Sequence, residues 1–321
     1  MNLSKLSALL ADEPKYRYAQ ANQALWQDFI SAWEQASVLP KALRERLEAE
    51  CPLEIRAELS RTTNGRRSDK ALISLADGET ASTTLIQQKG KPAASDLKLT
   101  ETAGRNTVLV SSQSEDGRQL QAEEMIEQVV FWARRLKAAA TAAEKVDNII
   151  FTGGEPFRNY AEFIKAVKFL NNPETLNIGA RRISATTAGI VDGIKRLASE
   201  KLQINLAVAL YATTDEKRRD ILPAAPKDSL PEILRAVDSY ILKTGRRVMF
   251  EYPMIKGVND SEAEARELAV LMDRPLYLVN LIPYNPIGGK FQPSERARID
   301  DFKQLLDDSG VPATVRLNFG A

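Results

Sequence analysis

Asp147–Phe157, DNIIFTGGEPF, runs from a β-branched apolar core into two glycines, a carboxylate and a proline. Asn148, Ile149, Ile150 and Phe151 carry the signature of a buried strand. Gly153 and Gly154 would let backbone amides and carbonyls approach a ligand that a Cβ would hold away. Glu155 then stands at the rim, and Pro156 closes the turn. Alone, GGEP reads equally well as an ordinary strand-to-helix turn, so its meaning depends on what flanks it.

Downstream and just upstream, the flanks show a regular alternation of strand-like and amphipathic helical runs. Thr107–Gln113 precedes Gln121–Glu144, Asn148–Thr152 precedes Tyr160–Leu170, and Arg182–Thr186 precedes Val191–Glu200. Ile204–Tyr211 then precedes Leu230–Lys243, Arg247–Met254 precedes Ser261–Met272, and Leu276–Pro283 precedes Ser294–Asp308. Ala313–Phe319 adds one more strand. Such alternation demands parallel pairing through right-handed crossovers. Six units predict an α/β fold with a partial (β/α)6 barrel, with a doubly wound sheet as the alternative. In folds of this class ligands bind beyond the carboxyl ends of the strands. Those ends here carry Ser111-Ser112-Gln113, Gly153-Gly154-Glu155, Thr186-Thr187, Tyr211-Ala212-Thr213, Lys256–Asp260 and Tyr284-Asn285-Pro286, which together predict a ligand site.

Residues 1–60 read as a helical accessory domain. Lys15–Trp33 places aromatic and aliphatic residues near a helical period, Leu39-Pro40 starts a second helix through Glu50, and Cys51-Pro52 ends it. Residues 61–105 read as a β-hairpin and basic linker, with Asp77-Gly78 joining Lys70–Leu75 to Thr80–Gln87. Arg61, Arg66, Arg67 and Lys70 make the hairpin locally basic, either as a solvated face or as a contact for an RNA backbone. The barrel occupies 106–321.

The full chain of 321 residues has a formal net charge of +1, so no global field draws in nucleic acid or an acidic membrane. One cysteine, Cys51, and no histidine rule out intrachain disulfides, imidazole acid–base chemistry and cysteine/histidine metal cages. Cys51 itself reads as a small buried apolar residue. The start lacks the pattern of a secretory signal and no apolar run is long enough to span a membrane, so a cytoplasmic monomer is expected.

VSSQ at 110–113, EEMIEQVV at 123–130, GGEP at 153–156, FEYPMIKGVNDS at 250–261 and VNLIPYNP at 279–286 occur in this order. Together they resemble the RlmN/Cfr family of radical S-adenosylmethionine enzymes, over nearly the whole chain. The resemblance implies a radical-SAM-type partial barrel behind an N-terminal accessory region, and methylation of an adenine in ribosomal RNA or transfer RNA. It also implies cofactor contacts at Gly153, Gly154 and Glu155 on the amino end and at Asn285 near the adenosine. Thr186 stands where the family tends to have serine, and Ala209-Leu210-Tyr211 where it has Ser-Leu-His.

Members of that family hold a [4Fe–4S] cluster on a Cys-x3-Cys-x2-Cys loop after the first barrel strand. Here the loop is Ser114–Leu120, shorter and without a thiol. Hydroxyl and carboxylate groups do not replace soft thiolates on such a cluster. The two relay cysteines of the family are absent as well: Leu109 stands at the first position, and the chain stops at Phe319-Gly320-Ala321 before the second. The expectation is therefore a pseudoenzyme of the radical-SAM fold that keeps rRNA, tRNA or ribosome binding, with weak S-adenosylmethionine affinity and no [4Fe–4S] cluster. Two alternatives stay open: an active adenine methyltransferase with an unusual cluster arrangement, and a hydrolase built on Glu155 and Glu251 as a carboxylate pair.

Overall fold

Proline, polar caps and apolar faces organise the N-terminal region into three helices, α1 (Leu3–Leu9), α2 (Lys15–Trp26) and α3 (Lys41–Glu50). The computed structural model describes residues 2–62, 67–87, 105–139, 145–222, 227–285 and 290–315. The Asn2 side chain caps α1 by accepting from the Lys5 N–H at 2.7 Å. Helix α2 ends at Trp26, short of the expected Trp33, because Phe29 takes a left-handed φ of 54° and turns the chain back. Trp33 is fully buried in a following 310 turn, where its indole N–H donates to the Cys51 carbonyl at 2.8 Å. Cys51 is buried, as expected.

The chain divides into two compact units, the first taking in Met1–Pro92 with Ala103–Ile183 and the second Ser184–Ala321. In the first, β1 (Ala57–Thr62), β2 (Arg67–Ser74), β3 (Thr80–Gln87) and β4 (Asn106–Ser111) form an antiparallel meander. The hairpin between β2 and β3 turns at Asp77-Gly78, where Gly78 has φ 90°. After β4 the rule changes: α4 (Ala122–Ala138) crosses over, β5 (Asn148–Gly153) pairs parallel to β4, and α5 (Tyr160–Asn171) follows. Met125, Ile126, Val129, Trp132 and Leu136 bury one face of α4. The Trp132 indole donates to Thr83 Oγ1 at 3.1 Å and Thr83 donates on to the Leu109 carbonyl at 2.7 Å, so both polar groups are satisfied in the core. Phe151 of β5 meets Phe163 of α5 edge to face at 5.1 Å.

In the second unit β6 (Ile183–Thr187), α6 (Val191–Leu197), β7 (Asn205–Ala209), α7 (Asp215–Ile221) and α8 (Leu230–Thr244) come first. They are followed by β8 (Val248–Met254), α9 (Glu262–Met272), β9 (Tyr277–Pro283), α10 (Arg296–Asp308) and β10 (Ala313–Val315). The strands β6 to β10 pair in chain order and all parallel. A reciprocal Ser229/Glu232 box starts α8, and Gly245 at φ 64° ends it. Phe250, Tyr252, Tyr277 and Phe302 fill the core of this unit. The six βα units run in the expected order. The sequence reading missed α1, β1 and α7, which are short or polar.

Tyr240, Tyr252 and Tyr277 are buried, and desolvation, foremost, pushes all three phenols above their ordinary value. An unfolded tyrosine ionises near pH ~10, so above that pH the unfolded chain releases protons that the folded chain retains. Stability from this source is complete below about pH 10 and falls as pH rises towards the folded values. Urea midpoints followed by circular dichroism should hold steady up to about pH 10 and then drop, and Tyr277→Phe should flatten the drop. An unchanged midpoint at about pH 12 would contradict this burial.

Candidate functional site

Between Val110 and Ser111 the β4–β5 register slips, so that Val110 faces Phe151 but Ser111 faces Gly153. A Cβ on Gly153 would lie 2.6 Å from Ser111 Oγ and 2.7 Å from its Cα, so only glycine allows this approach. Ser112 then hooks the turn, its N–H donating to the Gly153 carbonyl at 2.7 Å and its hydroxyl to the same oxygen at 2.9 Å. From α4, the fully buried Gln128 grips Ser111 from both sides, accepting from its N–H at 2.7 Å and donating to its carbonyl at 2.9 Å. Gly154 has φ 74°, and the space its missing Cβ leaves is filled by Gln113, whose Cγ lies 2.6 Å from where that Cβ would be. Glu155 is buried and its Oε1 accepts from the Phe157 N–H at 3.0 Å, capping the 310 turn that Pro156 opens.

Ser114–Leu120 closes on itself. Gln113 and Gln119 bridge antiparallel, Ser114 N–H donates to the Arg118 carbonyl at 2.8 Å, and Gly117 N–H donates to the Ser114 carbonyl at 3.1 Å. The Ser114 hydroxyl accepts from the Arg118 N–H at 3.0 Å, and Leu120 is fully buried. The Arg118 guanidinium pins this turn from outside. It contacts Asp77 at 2.8 Å and Glu79 at 3.1 Å on the β2–β3 turn, and holds both oxygens of Glu124 on α4 at 2.9 and 3.1 Å. These contacts raise the Arg118 pKa above its ordinary value, with the Glu124 hydrogen bonds the largest cause. Glu124 also accepts from the Gln121 N–H at 2.7 Å, so one carboxylate both starts α4 and anchors the turn.

In the second unit, Thr186, Ala209 and Asn285 stand at or just beyond the carboxyl ends of β6, β7 and β9. Thr186 is buried, Ala209 lies in register with Glu251 of β8, and Asn285 is exposed. Tyr211 has a left-handed φ of 66° and packs with Tyr284 and Phe291 on Ala212, Ile221 and Ile255. Burial, then Glu251 and Tyr284, push its phenol pKa up. The fully buried Asn259 ties this end together, donating to the Tyr211 carbonyl at 2.8 Å and the Pro253 carbonyl at 2.7 Å, and accepting from the Ile255 N–H at 2.7 Å. In the basic run Lys217-Arg218-Arg219 of α7, Arg218 is buried and donates to the Ala188 carbonyl, and Lys217 pairs with Glu264.

Two comparisons decide the family. Over its whole length the chain is 37% identical to a protein of Symbiobacterium thermophilum named "Probable dual-specificity RNA methyltransferase RlmN", covering 87% of it. Its structure matches the crystal structure of a radical SAM methyltransferase from Sphaerobacter thermophilus with a TM-score of 0.87 and 36% identity, over 100% of this chain and 94% of that one. The chain belongs to the RlmN family. A "Ribosomal RNA large subunit methyltransferase N" of Nitrosopumilus maritimus is also similar, at 35% identity over 95% of this RlmN-family chain and 89% of that protein. No family model matches the chain. The fold is thus the partial α/β barrel of radical SAM methyltransferases.

The RlmN resemblance assigns a [4Fe–4S] cluster to the turn after β4, and the residues there do not fit one. The turn offers no thiolate, its backbone groups bond to each other and to Thr80 and Ser112, and its charged side chains are Arg118 and the hard carboxylates Glu115 and Asp116. Cys51, the one cysteine, is buried elsewhere in the first unit with its Sγ 3.5 Å from the Asn2 carbonyl, and burial pushes its thiol pKa up, away from the thiolate. Among the described residues no group of three cysteines or carboxylates is placed to hold a metal ion.

Arg118 and Gln128 escaped the sequence reading as site residues, whereas Gln113 and Asn259 entered it as members of the polar strand ends. Gln128 carried a usable signal: a lone amide on the apolar stripe of α4 between Met125 and Trp132. Of the basic residues assigned to RNA, Lys70 is exposed on β2, opposite Ser60 and Thr84; the Arg61 and Arg67 side chains and all of Arg66 lie outside the described residues.

Arg118→Gln removes the positive centre from three carboxylates. Charge-assisted hydrogen bonds of this kind contribute ~1.5–3 kcal/mol, and the turn should loosen before the rest of the unit. Hydrogen exchange should speed up at the Gly117 and Arg118 amides while Phe151 stays protected. Equal protection in both proteins would show that the backbone bonds alone hold the turn.

Proposed function

We propose that this RlmN-family chain binds RNA without catalysing methyl transfer. The observation that carries the reading is the thiol-free turn after β4, folded against Arg118 where the family's cluster would be held. The absence of a thiol at Leu109, where the resemblance places a relay cysteine, supports it independently, because radical formation and methyl relay are separate requirements. RNA as the partner is supported by the printed activities of the relatives and by the basic hairpin. Rather than a global field, the net charge of +1 calls for a local contact through Arg61, Arg66, Arg67 and Lys70. The protein acts as a cytoplasmic monomer on this reading; among the described residues no helix is long and apolar enough to cross a membrane.

S-adenosylmethionine is weakly held on the same reading. Gly153, Gly154, Glu155, Thr186, Ala209, Tyr211 and Asn285 are the positions that would face it. Gln113 already packs on Gly154, and Glu155 is committed to the Phe157 N–H. Without iron to chelate its amino and carboxylate groups the cofactor loses an anchor, at a tenfold loss in affinity for each ~1.4 kcal/mol.

Anaerobic reconstitution with iron and sulfide should leave the protein colourless and free of iron, whereas about four irons per chain would restore the reading of an active enzyme with unusual ligands. Filter binding of ribosomal and transfer RNA across a salt series should show affinity that falls as salt rises. The Arg61→Ala/Arg66→Ala/Arg67→Ala/Lys70→Ala variant should flatten the slope by ~0.7–0.9 for each lost phosphate contact. Absence of binding at low salt would refute the RNA arm.

A further inference from the structure

A cavity of about 370 Å³ opens in the first unit, at the opposite end of β5 from the GGEP turn. Lys145 and Val146 border it just before β5, and Gly179 and Arg182 just before β6. The five residue-to-residue steps from Asn148 to Gly153 that separate the two ends span roughly 17 Å at ~3.3 Å each, so this cavity is no part of the cofactor site. Trp26, Phe29, Ala133, Val146, Leu176 and Ile178 supply an apolar wall. Its volume lies within the range of small-molecule sites, about 300–1,000 Å³.

Three features set it apart from a packing gap. Two of the four non-glycine residues with left-handed backbone in the described chain, Phe29 at φ 54° and Asn177 at φ 51°, both line it. For a bulky residue such as Phe29 that conformation is strained, and strain of this kind collects at ligand sites. Gly179 is the second feature. Its φ of −55° suits any residue, and a Cβ there would meet nothing within 4 Å, so neither backbone nor crowding requires a glycine at this exposed position of the lining. Third, the rim is cationic. Lys145 makes no salt bridge among the described residues, and Arg182 has Asp147 as its carboxylate partner at 3.4 Å. Lys137 sits 6.0 Å from the centre of the Phe29 ring, donates to the Gln27 carbonyl at 3.0 Å and lies 3.9 Å from Asp28.

We propose that this cavity binds a small anion bearing a planar aromatic ring, the chemistry shared by purine mononucleotides and aryl carboxylates. The ring lies against Trp26 and Phe29, and the acid group faces Lys145 and Arg182. No RNA, iron or S-adenosylmethionine enters the argument, so the cavity stands or falls apart from the methylation question.

The test titrates the full-length protein with 1-naphthoate, adenosine 5′-monophosphate and the uncharged 1-naphthalenemethanol, by calorimetry and by quenching of Trp26. The naphthoate should bind once per chain with a Kd below about 1 mM, and the uncharged ring at least about fivefold more weakly. Gly179→Phe should fill the space and weaken naphthoate at least about tenfold with an unchanged melting temperature, and Lys145→Gln should weaken it about threefold. Matching affinity for the mononucleotide, lost in the same variants, assigns the site to nucleotides; naphthoate binding alone assigns it to aryl acids. The proposal is overturned if neither acid binds at about 5 mM, or if naphthoate affinity is untouched by Gly179→Phe. Should Gly179→Phe melt early, exposed Lys145→Gln decides, and unchanged affinity there overturns it equally.

Discussion

The backbone of Gly153 comes so close to Ser111 that no side chain fits between them. From that contact much of the first unit's ligand-side geometry follows. The register slip places the Ser112 N–H and hydroxyl on one carbonyl oxygen, and Gln128 can satisfy both polar groups of Ser111 only because β4 ends at that point. A buried peptide left unbonded there would cost about 1–3 kcal/mol per group. The glycine therefore does more than permit a turn: it sets where β4 stops, where the next turn starts and how α4 is seated.

What that turn does next departs from the cluster-holding turn that the RlmN resemblance implies. Iron–thiolate ligation needs several soft anions converging on one point, with the surrounding backbone directed inward. The turn here places a cation at the equivalent position in the chain and points its backbone groups at each other. Scaffold and reaction are separable in such folds, because the parallel strands are stabilised by burial on both faces while the chemistry sits on the connecting turns. Asn259 illustrates the same division in the second unit, where a buried amide with three satisfied bonds preserves the end of β8 whatever ligand is or is not present.

The fold was legible wherever burial on both faces wrote continuous apolar runs, as in Asn148–Phe151 and Val248–Met254, and wherever a helix carried its own caps, as Ser229 and Glu232 do for α8. It was not legible where position is decided from far away. Nothing local in AELSRT announces β1, whose residues are ordered by pairing with β2. Phe29 gives no sign of a left-handed backbone, so the end of α2 was misplaced. The roles of Arg118 and Arg218 have no local signal, because Glu79 lies 39 residues from the one and the Ala188 carbonyl 30 residues from the other. The lack of thiols in this chain's turn, by contrast, is a matter of composition and needs no geometry.

A turn closed by a guanidinium among carboxylates answers to a different environment from one closed around iron and sulfide. Dioxygen and chelating agents have nothing here to attack. Ionic strength does, since salt screens the partly exposed pairs that Arg118 makes with Asp77, Glu79 and Glu124. The order of this turn is thus set by the electrolyte around the protein.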